Sequence, residues 1–337
     1  MGAASGFVTA LRLSHPLARL GLLRDTGPYL RLHFLYAALR SGLLEALRTP
    51  ASREEVAQRL HAKRPELLES LLDLGVALKE LGRSDGRYRI RGSRSKALVA
   101  EDGDPMAALV EELVAYHASV YRHFDERLRG AELGHYLDEH GVLIARSSRL
   151  LESFVANFVR SVVRSGEPVR LLEVGFGSGV YLRHAREANP QLTGVGIDLH
   201  DDVVERARAN LTAWGIGEAF QLLAGDVRNP PPELAGPFDL ITLYNNVYYF
   251  QSDERPELFQ RIRSWLAPDG VFALVSIMRS TTAAGIDFDL ALRSTVGCTA
   301  LPDLNELIEE LRASGFSQVQ TTKLMPMEPL YGVLATP

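Results

Sequence analysis

The stretch LLEVGFGSG, Leu171 to Gly179, decides how the chain is read. Leu171, Leu172 and Val174 form a short apolar run, the pattern of a strand buried in a parallel sheet. Glycines follow at every second position, Gly175, Gly177 and Gly179, and YLRHAREAN, Tyr181 to Asn189, reads as a helix. Strand, glycine turn and helix in that order place a ligand at the helix N-terminus, where backbone N–H groups and the helix dipole gather. Glycine suits such a turn because a Cβ would obstruct either a left-handed backbone or the close approach of a ligand. The dinucleotide fingerprint G-x-G-x-x-G would need glycine at position 180, and that residue is Val180.

Working outward, the second half alternates strand and helix. VRLLEVG, TGVGIDL, AFQLLAGD, FDLITLY and VFALVSI read as strands with helices between them, which implies a parallel sheet covered on both faces. The ending departs from that rhythm. NELIEELRASGF reads as a helix, SQVQTTKL as a strand and YGVLATP as a last strand, with only MPMEP between the last two. So short a connection allows an antiparallel pair but no crossover helix. Asp198 ends the second strand and lies 19 residues after Gly179. A carboxylate there accepts hydrogen bonds from ribose hydroxyls in nucleoside-binding sheets. Its structural alternative is to cap the helix DDVVERARANL, for which Asp201 is better placed.

With Glu173 on the last turn of the first strand, the run is E-x-G-x-G-x-G, which resembles the first motif of class I S-adenosylmethionine (SAM) methyltransferases. The later strand ends and the LAPDGVFALVSI segment follow that family's order across residues 169–335, and the antiparallel ending resembles its sheet, with one reversed strand at the edge. The resemblance implies a SAM cofactor held by Glu173, Gly175, Phe176, Gly177, Gly179, Asp198, Leu199, Asp226, Val227, Tyr244 and Asn245. Within it, Asp226 takes the adenine amino group, with Val227 and Leu199 on the two sides of the ring. On a bland reading Asp226 is a turn residue before Asn229 and Pro230. Tyr244 and Asn245 hold the methionine portion, and Asn246 faces the acceptor.

One departure bears on chemistry. Plant-type O-methyltransferases place a histidine base just after the fourth strand, whereas this chain has Val247-Tyr248-Tyr249-Phe250 there and no histidine after His200. Tyr248 or Tyr249 is therefore a catalytic candidate, although an ordinary phenol, with a pKa near ~10, is a poor base at neutral pH. His117, His123, His135 and His140 are alternatives. So is no base at all, since holding a reactive nucleophile beside the methyl group supplies much of the rate. If the tyrosine pair is extended, one ring lines the acceptor pocket and the other packs behind it.

The 337 residues suffice for two domains of ordinary size, and 46% hydrophobic with 23% charged residues is the balance of a soluble globular chain. The lone Cys298 excludes an intrachain disulfide and a cysteine metal cluster, and suits a reducing cytoplasm. No apolar run reaches the ~20 residues of a membrane span. Residues 1–100 hold 17 Lys and Arg against 9 Asp and Glu. In this basic half, Leu32, Leu35, Tyr36, Leu39, Leu43 and Leu47 recur at helical spacing from Tyr29 to Leu47. Ser52 and Glu55 form a capping box, Pro65 opens a helix running to near Gly82, and Asp85-Gly86 turns a hairpin. Helices and a hairpin make a winged-helix unit. Its candidate recognition helix offers Glu66, Glu69, Asp73 and Glu80 but only Lys79 as a cation, which would repel phosphates, so no nucleic acid is expected. The layout resembles the dimerisation domain of small-molecule O-methyltransferases, implying a homodimer. The first 24 residues read as an amphipathic helix that docks on the body or on a partner subunit.

Between the two lies a helical stretch in which AALVEELVAYHASVYRHFDERLRG reads as one long helix. In the resembling family this linker roofs the active site, which makes Tyr121, Phe124, Phe154 and Phe158 substrate candidates, although core packing is the ordinary role of such aromatics. His117 and His123 are six apart, not the i, i+4 of a helical metal pair, so no metal is expected.

The expected fold is α/β, a Rossmann-like seven-stranded SAM methyltransferase sheet with its last strand antiparallel, preceded by a mainly helical winged-helix-like domain. Its expected parts are residues 1–100, 101–165 and 166–337. The expected activity is SAM-dependent methyl transfer to an oxygen, nitrogen or carbon of a small molecule, such as a secondary metabolite. The rival readings are a SAM-binding enzyme of non-methylating chemistry and a winged-helix regulator that uses SAM as effector.

Overall fold

The computed structural model describes residues 14–337. The amphipathic helix expected at the extreme N-terminus falls mostly outside the described residues. Contacts along the chain divide it into two units, residues up to Ser119 and residues from Val120 onward, so residues 101–119 cluster with the first unit.

The first unit begins with α1 (Pro16–Arg40) and the single turn α2 (Leu43–Ala46), separated where Gly42 takes a left-handed φ of 76°. Helix α1 starts earlier than the leucine spacing predicts, and Pro28 lies inside it. Next come β1 (Ala51–Ser52), α3 (Arg53–Arg59), α4 (Pro65–Ala77), β2 (Leu81–Ser84), β3 (Arg87–Ile90), α5 (Ser93–Leu98) and α6 (Asp104–Glu112). The Ser52–Glu55 capping box forms in both directions at the start of α3. Helix α4 stops at Ala77 rather than near Gly82, because Lys79 turns left-handed at φ 61° and Leu81 already pairs with Ile90. Asp85 and Gly86 both have positive φ, as the two-residue hairpin requires, and β3 is the middle strand between β1 and β2. Phe34, Leu43, Leu44, Leu47, Val56, Leu72 and Leu81 close this unit's core.

The single long helix read in the linker is not continuous. After α6 the chain makes a π-helical turn over Leu113–His117, resumes as α7 (Ala118–Arg122), breaks at His123 and continues as α8 (Phe124–Leu128). A π turn adds a residue to the helical repeat and shifts the face that follows. Helices α9 (Tyr136–Ser147) and α10 (Glu152–Val162) precede the sheet.

The sheet unit then runs β4 (Arg170–Val174), α11 (Val180–Ala188), β5 (Thr193–Asp198), α12 (Asp201–Ala213), β6 (Phe220–Ala224), β7 (Phe238–Tyr244), α13 (Arg255–Trp265), β8 (Leu266–Ile277), α14 (Ala283–Arg293), α15 (Leu304–Ala313), β9 (Gln318–Lys323) and β10 (Leu330–Thr336). Strand order is β6-β5-β4-β7-β8-β10-β9. The last strand runs antiparallel to both neighbours and slots between β8 and β9, one place in from the edge. Alternation along β4 sends Leu171 to one face with Phe158, Leu182 and Leu211, and Leu172 to the other with Ile241, Phe259 and Phe272. Strand order reverses direction at β4, where β5 departs on one side and β7 on the other, and ligands of such sheets bind at the carboxyl ends of the strands there.

Candidate cofactor and acceptor site

The turn after β4 is built by backbone hydrogen bonds and left-handed glycines. Gly175, Gly177 and Gly179 have φ of 69°, 54° and 78°. Gly175 N–H donates to Ile197 O at 2.8 Å, and Gly179 N–H donates to Phe176 O at 2.9 Å. Gly177 differs from its neighbours. A Cβ there would meet nothing within 4 Å, whereas one on Gly175 would lie 2.1 Å from Asn246 Nδ2 and one on Gly179 2.4 Å from Leu211 Cδ1. The outer two glycines are therefore needed by the protein's own packing. Gly177 faces open space, where a ligand can approach the backbone.

Asp198, at the end of β5, accepts the Gly177 N–H at 3.0 Å. Burial raises its pKa, opposed by backbone N–H groups of Gly177, His200 and Leu199. It does not cap α12. Neither does Asp201, because His200 occupies the N-cap position and no side chain caps that end. Leu199 is 55% exposed beside Asp198, an unusual setting for a leucine unless something covers it. Val227 is buried, and Asp226 is gripped by Arg228, whose Nε lies 3.0 and 2.9 Å from the two carboxylate oxygens. Burial works against ionisation of Asp226, but the Arg228 hydrogen bonds and charge outweigh it and hold the carboxyl below its usual range. Nothing in the sequence reading assigned a role to Arg228, although an i, i+2 acid–arginine pair in a turn is a local signal.

On the α10 and α11 side of the sheet, Glu173 is 2% exposed. No hydrogen bond relieves it, and burial first, then the charge of Asp198, lifts its pKa well above the ordinary 4.5. Thr242 pairs opposite Glu173 in the ladder, and Tyr244 lies two residues further along the same face. Tyr244 is packed edge-on against Tyr181 of α11 at 5.4 Å and against Phe158 of α10 at 6.4 Å. Its hydroxyl is buried without a partner, as are Asn245 Oδ1 and Asn246 Oδ1. Burial pushes both phenols up, with Glu173 adding to the effect. Asn245 sits at φ 57°, fastened by its N–H to Val275 O at 2.7 Å. Asn246 Nδ2 donates to Val174 O at 2.7 Å, so this amide ties the end of β7 to the end of β4.

The other sequence-derived candidates fall into two groups. Phe176 and Phe158 are packing residues: Phe176 fills the space left by the missing Cβ of Gly196, and Phe158 that left by Gly332. Phe154 packs at the edge of the same cluster. Tyr121 and Phe124 are exposed, and Tyr121 Oη donates to Asp287 Oδ1 at 2.5 Å, which with partial burial pushes the phenol up to about 12. Asp287, 166 residues away in sequence, was not legible beforehand. The premise of an extended tyrosine pair fails, because Val247–Tyr249 is a 3-10 turn. Tyr248 is 7% exposed and stands edge-on to Tyr249 at 4.9 Å and to Phe288 at 5.7 Å. A turn of that kind rotates successive side chains by about a third of a circle rather than half, so the two rings touch each other.

The orphaned atoms form a set. Asn245 Oδ1, Asn246 Oδ1 and the Tyr244 hydroxyl, at the end of β7 and near Glu173 of β4, have no hydrogen-bond partner. Such a set fits a ligand that carries N–H donors and positive charge, while Gly177 and Asp198 fit a hydroxylated, close-approaching ring.

Residues 171–270 match the family model described as "Methyltransferase domain". This stretch belongs to the methyltransferase domain family. The chain is 26% identical over 306 residues to a 3-hydroxy-5-methyl-1-naphthoate 3-O-methyltransferase of Streptomyces sahachiroi, covering 86% of this chain and 87% of that one. Three other curated relatives, 27–35% identical, are covered over only 6%, 38% and 33% of their own length. Among solved structures, the mitomycin 7-O-methyltransferase MmcR superposes with a TM-score of 0.77 at 18% identity, over 98% of this chain and all of that one. Human N-acetylserotonin methyltransferase, solved with SAM, gives 0.72 at 16% identity over 100% of this chain and 99% of that one. At such identities the likeness establishes the fold: a class I methyltransferase sheet with a helical region before it.

Glu173 gives a prediction about the empty protein. Its carboxyl stays protonated in the folded state at pH values where the unfolded chain has already lost that proton. Stability therefore falls as pH rises from about 4.5 towards the raised folded value. Glu173→Gln should remove that loss, so thermal melts should show the variant gaining on the parent as pH rises above about 5. A constant difference across that range would show that Glu173 does not titrate abnormally.

Proposed function

We propose that the protein is a SAM-dependent methyltransferase acting on a small molecule. The observation that carries the reading is the pairing of the open Gly177 backbone with Asp198 at the strand-order reversal, beside a nest of buried acceptors that lack a donor. In this reading Asp198 accepts from the ribose hydroxyls, exposed Leu199 and buried Val227 flank the adenine, and Asp226, steadied by Arg228, takes its amino group. The Glu173–Tyr244–Asn245 side receives the methionine portion. The cofactor supplies an electrophilic methyl on a sulfonium. The chain's own task is to bind and orient it, to exclude water and to hold the acceptor in line.

The acceptor region of the sheet unit is aromatic. Tyr248, Tyr249 and Phe288 stand together, and Thr299 N–H donates to Tyr248 O at 2.8 Å, fixing the turn. This setting suits a flat, apolar acceptor, and the naphthoate named for the Streptomyces enzyme is of that class. The proposed role of Tyr248 is to orient the acceptor by one hydrogen bond.

Residues 1–100 are proposed as a winged-helix-like dimerisation domain. Leu17, Leu22, Leu23 and Tyr29 of α1 are each at least 60% exposed, more apolar surface on one helix than a lone soluble unit ordinarily presents. The carboxylates Glu66, Glu69 and Asp73 on α4 argue against the regulator reading, since that helix would have to enter a groove lined with phosphates. No helix among the described residues is long and apolar enough to cross a membrane. With its single cysteine the chain is proposed to work in the cytoplasm.

Calorimetry should show SAM binding at roughly micromolar Kd, and turnover should yield S-adenosylhomocysteine. Asp198→Ala should weaken binding by about 1–3 kcal/mol, and equal affinity for both proteins would refute the ribose assignment. Single-turnover methyl transfer by Tyr248→Phe should slow about ten- to thirtyfold with SAM affinity intact. A loss beyond about a hundredfold would make Tyr248 the base instead, and an unchanged rate would remove it from the mechanism. Light scattering at micromolar concentration should report twice the 37.2 kDa chain mass, and a monomer with or without SAM would refute the dimer.

A further inference from the structure

The first unit contains a cleft that the cofactor reading does not use. Strand β1 is two residues long and pairs Ala51 with Tyr88 and Ser52 with Arg87. One step further, the residue opposite Arg89 would be Pro50, which has no N–H to extend the ladder. The chain before β1 parts from β3 there, and a cleft of about 390 Å³ lies between them, bounded also by α5. Its floor is apolar: Leu47 is buried, with Ile90 and Val99 partly buried beside it. Its walls carry Arg48, Arg89 and Lys96, and no carboxylate among the described residues lines it. The acids of this unit are engaged elsewhere. Glu55 meets Arg87 at 2.8 Å, and Glu80 meets Arg31 at 3.2 Å and the Ser95 hydroxyl at 2.9 Å. Glu45 does reach Arg48, at 2.7 Å, but that pair is exposed and weak. Arg89 and Lys96 have no ion pair among the described residues, and residues 1–13 contain no Asp or Glu to supply one.

We propose that this cleft is a second binding site, one for a small amphiphilic carboxylate. The acid group meets Arg89 and Lys96, and the apolar tail lies on Leu47, Ile90 and Val99. Arg89 offers a planar fork that matches a carboxylate, and Lys96 adds a point charge on a flexible stem. The volume falls at the lower end of the range for small-molecule sites, ~300–1,000 Å³. The apolar floor separates this site from a nucleic-acid contact, because a phosphate backbone is a row of charges with no tail to bury. Both halves of the ligand are needed. Exposed cations are screened by salt and hold a bare anion weakly, whereas each CH₂ fully buried on the floor strengthens binding by about fourfold. The site lies wholly within the first unit, so it does not depend on what the sheet unit binds.

Isothermal calorimetry on the full-length protein with octanoate, hexanoate, acetate and 1-octanol tests this. Octanoate should bind with a Kd below ~1 mM, and hexanoate more weakly by up to about fourfold for each CH₂ removed. Acetate, which has the charge without the tail, and octanol, which has the tail without the charge, should each bind at least about tenfold more weakly than octanoate. In the doubly substituted variant Arg89→Gln, Lys96→Gln, octanoate affinity should fall about tenfold or more while SAM binding is unchanged. Both side chains are exposed, so the variant keeps the core of the unit intact. Methyl resonances of Leu47, Ile90 and Val99 should move when octanoate is added. Absence of octanoate binding would overturn the proposal. So would octanol or acetate binding as well as octanoate, the first showing a merely apolar surface and the second a merely charged one. Octanoate binding undiminished in the double variant would put the ligand elsewhere on the protein and overturn it too.

Discussion

Everything at the site depends on the parallel pairing of β4 with a strand on each side. Residues 171–174 are buried and paired along both edges, so nothing about this segment is adjustable. The chain must leave β4 within a few residues and start α11 on top of the sheet. Left-handed glycines achieve this, and two of the three also leave room for Asn246 and Leu211. The same constraint opens a crevice, because β5 and β7 diverge from β4 in opposite directions. Asp198 and Asn246 then close over it from the two sides, one holding the Gly177 N–H and the other the Val174 carbonyl.

The electrostatics of that crevice follow from its walls. A carboxyl placed on a central strand, under helices, is largely withdrawn from water, and the charged neighbour that acts on it is another carboxyl. At the rim the logic reverses: Asp226 is 28% exposed and carries its own arginine, which holds its carboxyl below the usual range. Glu173 is buried and unpaired, Asp226 partly exposed and paired, so the two acids sit in opposite electrostatic settings.

The turn after β7 shows how a shared scaffold leaves chemistry to local detail. A fold positions an electrophilic methyl but does not choose the nucleophile. Where the resembling plant-type enzymes carry a histidine, this chain has a buried tyrosine in a 3-10 turn, packed by Tyr249 and Phe288. Tyr121, expected among the substrate contacts, donates to Asp287 and is pushed up to about 12.

The sequence by itself determined the sheet, its order of strands and helices, the glycine turn, Asp198 at the second strand end, the Ser52 capping box and the Asp85-Gly86 hairpin. Each of these is a local matter: apolar periodicity, a residue with the right φ, or a side chain bonding within a few positions of itself. The tertiary structure alone decided the rest. That the last strand slots inside the penultimate one, that Asn246 braces β4 and that Asp287 accepts the Tyr121 hydroxyl all rest on pairs 53 to 166 residues apart, which no local pattern encodes. The linker helix looked continuous because periodicity over a few turns cannot register one extra residue, and the π turn at Leu113–His117 is that residue. The tyrosine pair was assigned opposite faces on an extended backbone, and a single 3-10 turn was enough to bring the rings together. Glu173 was recognisable as part of a motif, but its lack of any partner became visible only when β5, β7 and α11 were packed around it. A sequence shows which group is present, whereas only packing shows what has been left out beside it.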